Sequence, residues 1–330
     1  MILAVANLLL FSFVSLQIQP AVPENPADDH LPHPITLLIN GHSRTGRDRF
    51  GEAVEEIRAR GINLKEAVLA RDKSETERVL KREIAQKSRM IIVGGGDGTL
   101  STCAETLAGS DVAMGVLPLG TGNTFARSIG LPVEMSGAIE VIATGRITTV
   151  DVGRCNGQVF LNSVSLGLSA EIAGALTSEA KKKLGLLAWP VIGGKIMARH
   201  RSLRLRILSS ERNFSVVTHQ LMIANGRYVA GPIKASEDAS LQDHELTVFA
   251  LGGRSKGELI HAVWHWLRHT HIEATEVPFF ETKHLRVESL GRRVKANVDG
   301  EVNDHTPLDI EVWPRALKVV VPQGFVADEV

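Results

Sequence analysis

The run Gly94-Gly95-Gly96-Asp97-Gly98-Thr99 follows the apolar residues 90–93 directly and opens a helical pattern, and no other segment constrains the chain as much. Consecutive glycines let the backbone approach a ligand and turn several N–H groups toward it. The helix beyond adds the partial positive charge of its N-terminus, so the turn suits phosphate groups. Asp97 is odd in a pure anion cradle. Its carboxylate has a use there if Mg²⁺ mediates, or if it bonds a ribose or substrate hydroxyl; otherwise it reads as the N-cap of a tight turn. The run does not continue as G-x-G-x-x-G, and G-x-x-x-x-G-K-[ST] occurs nowhere in the chain, which disfavours a dinucleotide dehydrogenase and a P-loop ATPase.

Around that turn, short apolar runs alternate with helical patterns. Residues 35–39, 63–69, 90–93 and 112–117 read as strands. Residues 47–60, with Phe50, Val54 and Ile57 on one face, and 74–86, with Ser74 as N-cap, read as helices. This is the rhythm of a doubly wound parallel sheet, an α/β Rossmann-like unit. Beyond about residue 150 strand-like runs crowd together, at 158–164, 203–208, 215–224, 246–251, 285–287, 294–298 and 317–321, with helical patterns at 181–198 and 255–269. An antiparallel, β-sandwich-like second domain is expected. The chain thus divides into residues 1–30, an apolar segment and linker; 31–150, a nucleotide-binding domain; and 151–330, a β-rich substrate domain.

A second glycine turn, Pro118-Leu119-Gly120-Thr121-Gly122-Asn123-Thr124, also leaves a strand and enters a helix, at residues 125–129. Two such turns at neighbouring strand ends would face one crevice, where open α/β sheets bind ligands. Taken together, residues 94–100, the stretch PLGTGNTFAR at 118–127 and the distal Asp299-Gly300-Glu301 resemble the diacylglycerol kinase catalytic family, which includes sphingosine kinases and bacterial lipid kinases. The resemblance runs from about residue 35 to 325.

It implies transfer of the γ-phosphoryl group of ATP, with Mg²⁺, to a lipid hydroxyl in a cleft between the domains. Gly95, Gly96, Asp97, Gly98 and Thr99 would hold the ATP phosphates, with Asp97 on nucleotide or Mg²⁺. Gly120, Thr121, Gly122 and Asn123 would line the same crevice, and Asn40 matches an asparagine that opens a nucleotide-contacting turn. Asp299 corresponds to the family's proposed base, with Glu301 assisting it or orienting metal. Asp243, with Ser240 and Glu245 in its loop, falls where the family binds a metal.

The sequence departs from the family pattern in four places. Gly41 stands for a proline after Asn40, with Gly46 two positions late; Ser101-Thr102 replace Asn-Glu; Thr124 replaces an aspartate; and His244 replaces the glycine after Asp243. An NAD kinase, which shares the GGDGT turn, and a non-catalytic lipid- or nucleotide-binding protein are the alternatives.

Charge narrows the partners. Lys plus Arg and Asp plus Glu both number 37, so no basic excess points to nucleic acid, and a lipid substrate at a membrane surface is the expected partner. The oligomeric state stays open, a homodimer included. Two cysteines, Cys103 and Cys155, make no disulfide framework or metal spacing and fit a reducing, cytoplasmic compartment with peripheral membrane contact. Residues 1–17 are apolar and uncharged, readable as a membrane-anchoring segment, an atypical signal, or residues upstream of the true start. His261, His265, His269 and His271 with Trp264 and Trp266 read as a half-exposed amphipathic helix rather than a metal face. Lys181-Lys182-Lys183 beside Leu184, Leu186, Leu187 and Trp189 read as a solvated helix start, with contact to anionic headgroups as the rival reading.

Overall fold

The alternation read from the sequence forms β1 (Ile35–Asn40), α1 (Arg44–Ala59), β2 (Leu64–Ala70), α2 (Lys73–Ala85), β3 (Met90–Gly95), α3 (Asp97–Leu107), β4 (Ala113–Pro118), α4 (Thr124–Ser128) and α5 (Met135–Thr144). Strands then dominate: β5 (Arg146–Cys155), β6 (Gln158–Phe160), β7 (Ser163–Gly167), the helix α6 (Leu168–Ala175), β8 (Leu203–Ser209), β9 (Asn213–Thr218) and β10 (Gln220–Ala224). The remaining strands are β11 (Tyr228–Ala230), β12 (Ile233–Lys234), β13 (Leu246–Leu251), β14 (Phe280–Thr282), β15 (His284–Ser289), β16 (Lys295–Val298), β17 (Glu301–His305) and β18 (Leu308–Val321). This is a computed structural model, describing residues 33–175, 199–236, 238–252 and 280–325 with the isolated positions 196, 255, 257 and 258. The N-terminal segment, most of the helical pattern of 255–269, including its histidines and tryptophans, and most of that at 181–198, including its lysines, lie outside the described residues.

β2, β1, β3 and β4 pair in parallel in that order. Every residue of β3 is buried. Ile91 and Val93 enter one core with Leu80, Leu100 and Leu107, whereas Met90 and Ile92 enter another with Ile57, Ile139 and Ile142. Successive strand side chains point to opposite faces, so a strand apolar at every position needs helices on both sides, and α2 and α3 cover one face while α1 and α5 cover the other.

The sheet does not stop at β4. β18 returns from the end of the chain to lie parallel to β4 at Val319 and antiparallel to β5, and the sheet continues through β15 and β8 to β9. A six-stranded sheet, β14-β13-β10-β7-β16-β17, faces this extension. Leu166, Leu221, Val248 and Ala296 from one sheet meet Leu205, Ile207, Val287 and Ile310 from the other, an antiparallel sandwich core. In β8 the residues alternate, Leu203, Leu205 and Ile207 inward and Arg204 and Arg206 outward.

Several local expectations are corrected. Asp72, not Ser74, caps α2, accepting from Glu75 N at 2.8 Å. The run 215–224 is two strands in different sheets, broken at His219, and 158–164 is likewise split. Gly96 is the N-cap of α3, so Asp97 is its first residue. Cys103 and Cys155 are free and buried, and burial pushes both thiols up to about 12, consistent with packing roles.

Candidate active site

The parallel strands end level with one another: Asn40 of β1 pairs with Ala70 of β2, and Gly95 of β3 with Pro118 of β4. The turns that follow therefore open on one side of the sheet, around a cavity of about 680 Å³. Asn40, Gly96, Asp97, Gly98, Thr99, Gly120 and Thr121 all line it, joined by Glu301 from far along the chain. Gly95, Gly122 and Asn123 belong to the same turns but are not among the residues that line the cavity. The sequence reading missed Lys73, which lines the cavity from the start of α2; its signal was a basic residue at the end of a βα turn beside the crevice.

Glycine is required where the two turns touch. A Cβ on Gly120 would lie 2.5 Å from Gly96 Cα, and one on Gly95 would lie 2.5 Å from Thr99 Cβ. At Gly120 the obstacle is backbone of the other turn, and at Gly95 it is the Thr99 side chain of its own turn. Asn123, buried with φ +50°, accepts from Gly120 N at 2.9 Å and so fixes the second turn. Asn40 Nδ2 donates to Thr99 Oγ1 at 2.8 Å, tying β1 to the first turn. Gly46 meets the same strand end, since a Cβ there would lie 2.3 Å from the Asn40 carbonyl oxygen.

Asp97 binds across to the second turn rather than capping its own helix. Its carboxylate accepts from Phe125 N at 3.1 Å and from Thr124 Oγ1 at 3.2 Å, satisfying a donor at the start of α4. Thr124 Oγ1 also accepts from Gly231 N at 2.9 Å, so this threonine joins three loops. The half-buried Asp97 still borders the cavity.

Asp299 and Gly300 both have positive φ, +47° and +97°, between paired residues Val298 and Glu301. That is the backbone a two-residue Asp-Gly hairpin demands, and it makes the turn that joins β16 to β17. The Asp299 carboxylate accepts four hydrogen bonds: from Ser101 Oγ and Leu161 N at 2.6 Å, and from Asn162 N and Ser163 N at 2.9 Å. Burial pushes its carboxyl above the usual carboxylate range, and these donors pull the other way. Asp299 borders a narrow pocket of about 20 Å³ shared with Ser101 and Glu301, while Glu301 borders both that pocket and the larger cavity. Ser101 and Thr124, two of the departures from the family pattern, are thus the hydroxyls that bind the two aspartates.

The Asp243 loop lies elsewhere, against β5. Asp243 accepts from Ser240 N at 2.8 Å and Glu245 N at 2.9 Å. Burial, with Asp151 and Glu281 nearby, raises it to about 6. His244 has φ +63°, the left-handed conformation that favours glycine. Its backbone N and Nδ1 both bond the buried Asp151, at 2.8 and 3.0 Å. Among the described residues, no group of three or more His, Cys, Asp or Glu side chains is arranged to hold a metal.

A pair of phosphate-suited turns at the switch of an α/β sheet, closed by an acidic hairpin from a β-sandwich, is the plan of a two-domain kinase. The diacylglycerol kinase catalytic domain family matches residues 34–155, and the YegS C-terminal NAD kinase beta sandwich-like domain matches residues 162–321. In tandem the two matches take in most of the chain, which belongs to the diacylglycerol kinase catalytic-domain family and is a lipid kinase. It is 28% identical over 257 residues to a diacylglycerol kinase of Staphylococcus haemolyticus, covering 77% of this chain and 76% of that one. A protein of Pectobacterium atrosepticum named as a YegS-like lipid kinase is 27% identical over 304 residues, covering 88% and 97%. In fold, the chain resembles a crystal structure of a diacylglycerol kinase from Bacillus anthracis, with a TM-score of 0.72 at 23% identity over 89% of this chain and 98% of that one. Among the described residues, no helix is long and apolar enough to cross a membrane.

Proposed function

We propose that the chain transfers the γ-phosphoryl group of ATP to the hydroxyl of diacylglycerol or a related lipid alcohol. The observation that carries this reading is the backbone contact of the two glycine turns at Gly96 and Gly120, beside a cavity that Asp97 and Glu301 both border. Phosphoryl transfer asks the protein mainly for positioning and charge neutralisation. Backbone N–H groups of residues 96–98 and 121–123 would bind the phosphates, since Thr99 N and Gly120 N are held within the turns by Gly96 O and Asn123 Oδ1, and Asn40 would hold the first turn in place.

The donor set fits Mg²⁺, which prefers one or two carboxylates together with phosphate oxygens over an all-protein cage. Asp97 and Glu301 would hold it, and when bound it neutralises charge on the phosphates. Asp299 is the proposed base, held at a strand end where burial raises its carboxyl from its ordinary value. A second cation on Asp243, with Ser240 and Glu245, belongs to the same reading; its support is the burial of the Asp243 carboxyl with the Asp151 and Glu281 carboxylates nearby.

On this reading the chain works as two units divided near residue 150, with residues 1–30 apart from the chemistry. The enzyme acts in the cytoplasm at the membrane surface that carries its substrate, as a monomer or a homodimer. Purified protein with labelled ATP, Mg²⁺ and a panel of lipid alcohols tests it, with NAD as a further acceptor. Labelled phosphatidic acid is the expected product; labelled NADP, or ATP turnover without a lipid product, would replace the reading.

A further inference from the structure

A second cavity, of about 550 Å³, lies at the other end of β16, where Val294 leads into the strand that ends at Asp299. Four residues at ~3.3 Å each put it roughly 13 Å along the strand from the catalytic turn. Arg199, Arg201, Arg204 and Arg292 line it. Its one acidic lining residue, Glu171, is bonded to the buried His200, Oε2 to Nδ1, at 3.0 Å. None of the four guanidinium groups has an ion-pair partner among the described residues, although other exposed arginines, such as Arg206 with Glu288, do.

Local structure explains the clustering. The period of two in β8 turns Arg204 away from the sandwich core, and the loop after β15 brings Arg292 alongside through the bond from Leu290 N to the Arg204 carbonyl, 2.8 Å. Arginines gathered around a concavity with no ion-pair partner among the described residues repel one another, an arrangement that a multivalent oxygen anion relieves with forked hydrogen bonds. Leu290, in that same loop, is the exposed large hydrophobic residue of the described structure, at 38%. Guanidinium groups beside an outward leucine match the boundary of an anionic bilayer, charge toward the headgroups and the aliphatic chain toward the acyl region.

We infer that this cavity seats the phosphate of an anionic phospholipid and holds the enzyme on the bilayer that supplies its substrate. The inference rests on the lipid kinase reading, and its test is independent of catalysis. The full chain, without ATP, is sedimented with vesicles of phosphatidylcholine alone or of equal parts phosphatidylcholine and phosphatidylglycerol. Binding should require phosphatidylglycerol and weaken as salt rises. Arg201→Ala/Arg204→Ala should lower the partition coefficient about 25-fold, roughly fivefold per arginine. Arg58→Ala/Arg78→Ala, exposed positions on α1 and α2 that remove the same charge, should leave it within twofold of wild type.

Thermal unfolding of each variant establishes that it is folded; if the double variant is not, Arg201→Gln alone, with the fivefold loss, takes its place. Turnover of a soluble short-chain diacylglycerol should be unchanged in both double variants. Equal sedimentation of wild type and Arg201→Ala/Arg204→Ala, or equal loss in the control pair, overturns the inference. So does protection of the protein by inorganic phosphate without any vesicle binding, which would assign the cavity to a soluble anion. Absence of lipid kinase activity alongside arginine-dependent vesicle binding would instead sink the function and leave the surface standing.

Discussion

The turn at residues 94–99 and the turn at residues 298–301 each place an aspartate at a strand end, yet they are built in opposite ways. The first is made of backbone, with glycines in contact and a carboxylate bonded to the neighbouring turn. The second is made of side-chain acceptance, one carboxylate gathering Ser101 and the N–H groups of residues 161–163. A backbone-built site fails when atoms are added. A site built around a carboxylate fails when its charge is removed.

The largest effect is expected at Asp97. Asp97→Ala removes a carboxylate from the turn proposed to bind phosphate and should lower kinase activity on the order of 10³-fold. It also strips an acceptor from Phe125 N, so Asp97→Asn, which keeps one acceptor, is the sharper variant. If Asp97→Asn unfolds at the wild-type temperature and stays within a few-fold in activity, the residue only fastens α4. Gly120→Ala attacks the same turn by addition. With 2.5 Å to Gly96 Cα there is no flexible side chain to give way, and overpacking of this kind costs about 1–3 kcal/mol. The KM for ATP should rise roughly tenfold with the lipid KM unchanged; an unaltered ATP KM would mean that the contact does not shape the nucleotide site.

At the second turn, Asp299→Asn should lower kcat by about 10²–10⁴-fold if the carboxylate takes the proton. An amide does not restore the native contacts, because three of the four partners are backbone donors and the new NH₂ must face some of the four. Stability should therefore fall too, by about 1–3 kcal/mol for the unmatched donors. Denaturant titration beside kcat separates the roles: lost stability with near-normal kcat would make Asp299 a clasp and move the proton-accepting role to Glu301.

This contrast also explains what could be read before the structure. The first turn and its partner are each a contiguous run of sequence, and the apolar runs of β1, β3 and β4 announced the parallel sheet that aligns them. The Asp299 clasp draws on residues 101, 161–163 and 299, and nothing in a linear pattern joins segments so far apart. Ser101 stood out only as a departure from a motif. β5 escaped notice because its polar Arg146, Thr148 and Thr149 break the apolar signal of a strand that β18 covers from the far end of the chain. β17 escaped because it follows the Asp-Gly turn at once, although that dipeptide is itself a hairpin signal.

Asp243 offers a smaller effect with a definite sign. Burial lifts its carboxyl from 3.8 to about 6, so between those pH values the folded protein keeps a proton that the unfolded chain has released. The stability this group contributes is present below pH 3.8 and is lost as the pH climbs through 6. In chelator, the Tm of wild type should fall relative to Asp243→Asn between pH 5 and 8, whatever the offset from the hydrogen bond that the amide loses. Mg²⁺ should flatten that slope if a cation binds the loop. A slope that ignores Mg²⁺ would remove the metal from this site.

The smallest effect is expected next door, at His244→Gly. A left-handed conformation costs a side-chain-bearing residue about 1 kcal/mol relative to glycine, and His244 at φ +63° carries that cost. Against it stands the 3.0 Å bond from Nδ1 to Asp151, worth about 1 kcal/mol net in a half-exposed setting. The buried Asp151 keeps its two backbone donors, His244 N and Arg315 N, after the substitution, so no charge is left unpaired. The two contributions nearly cancel, and stability should change by less than about 1 kcal/mol, with turnover of soluble substrate unaltered. A loss above about 2 kcal/mol would show that the imidazole is part of the Asp151 cluster's charge balance. In that case the histidine would stand where the family uses glycine because it supplies in side-chain form the positive end that a bound cation supplies elsewhere.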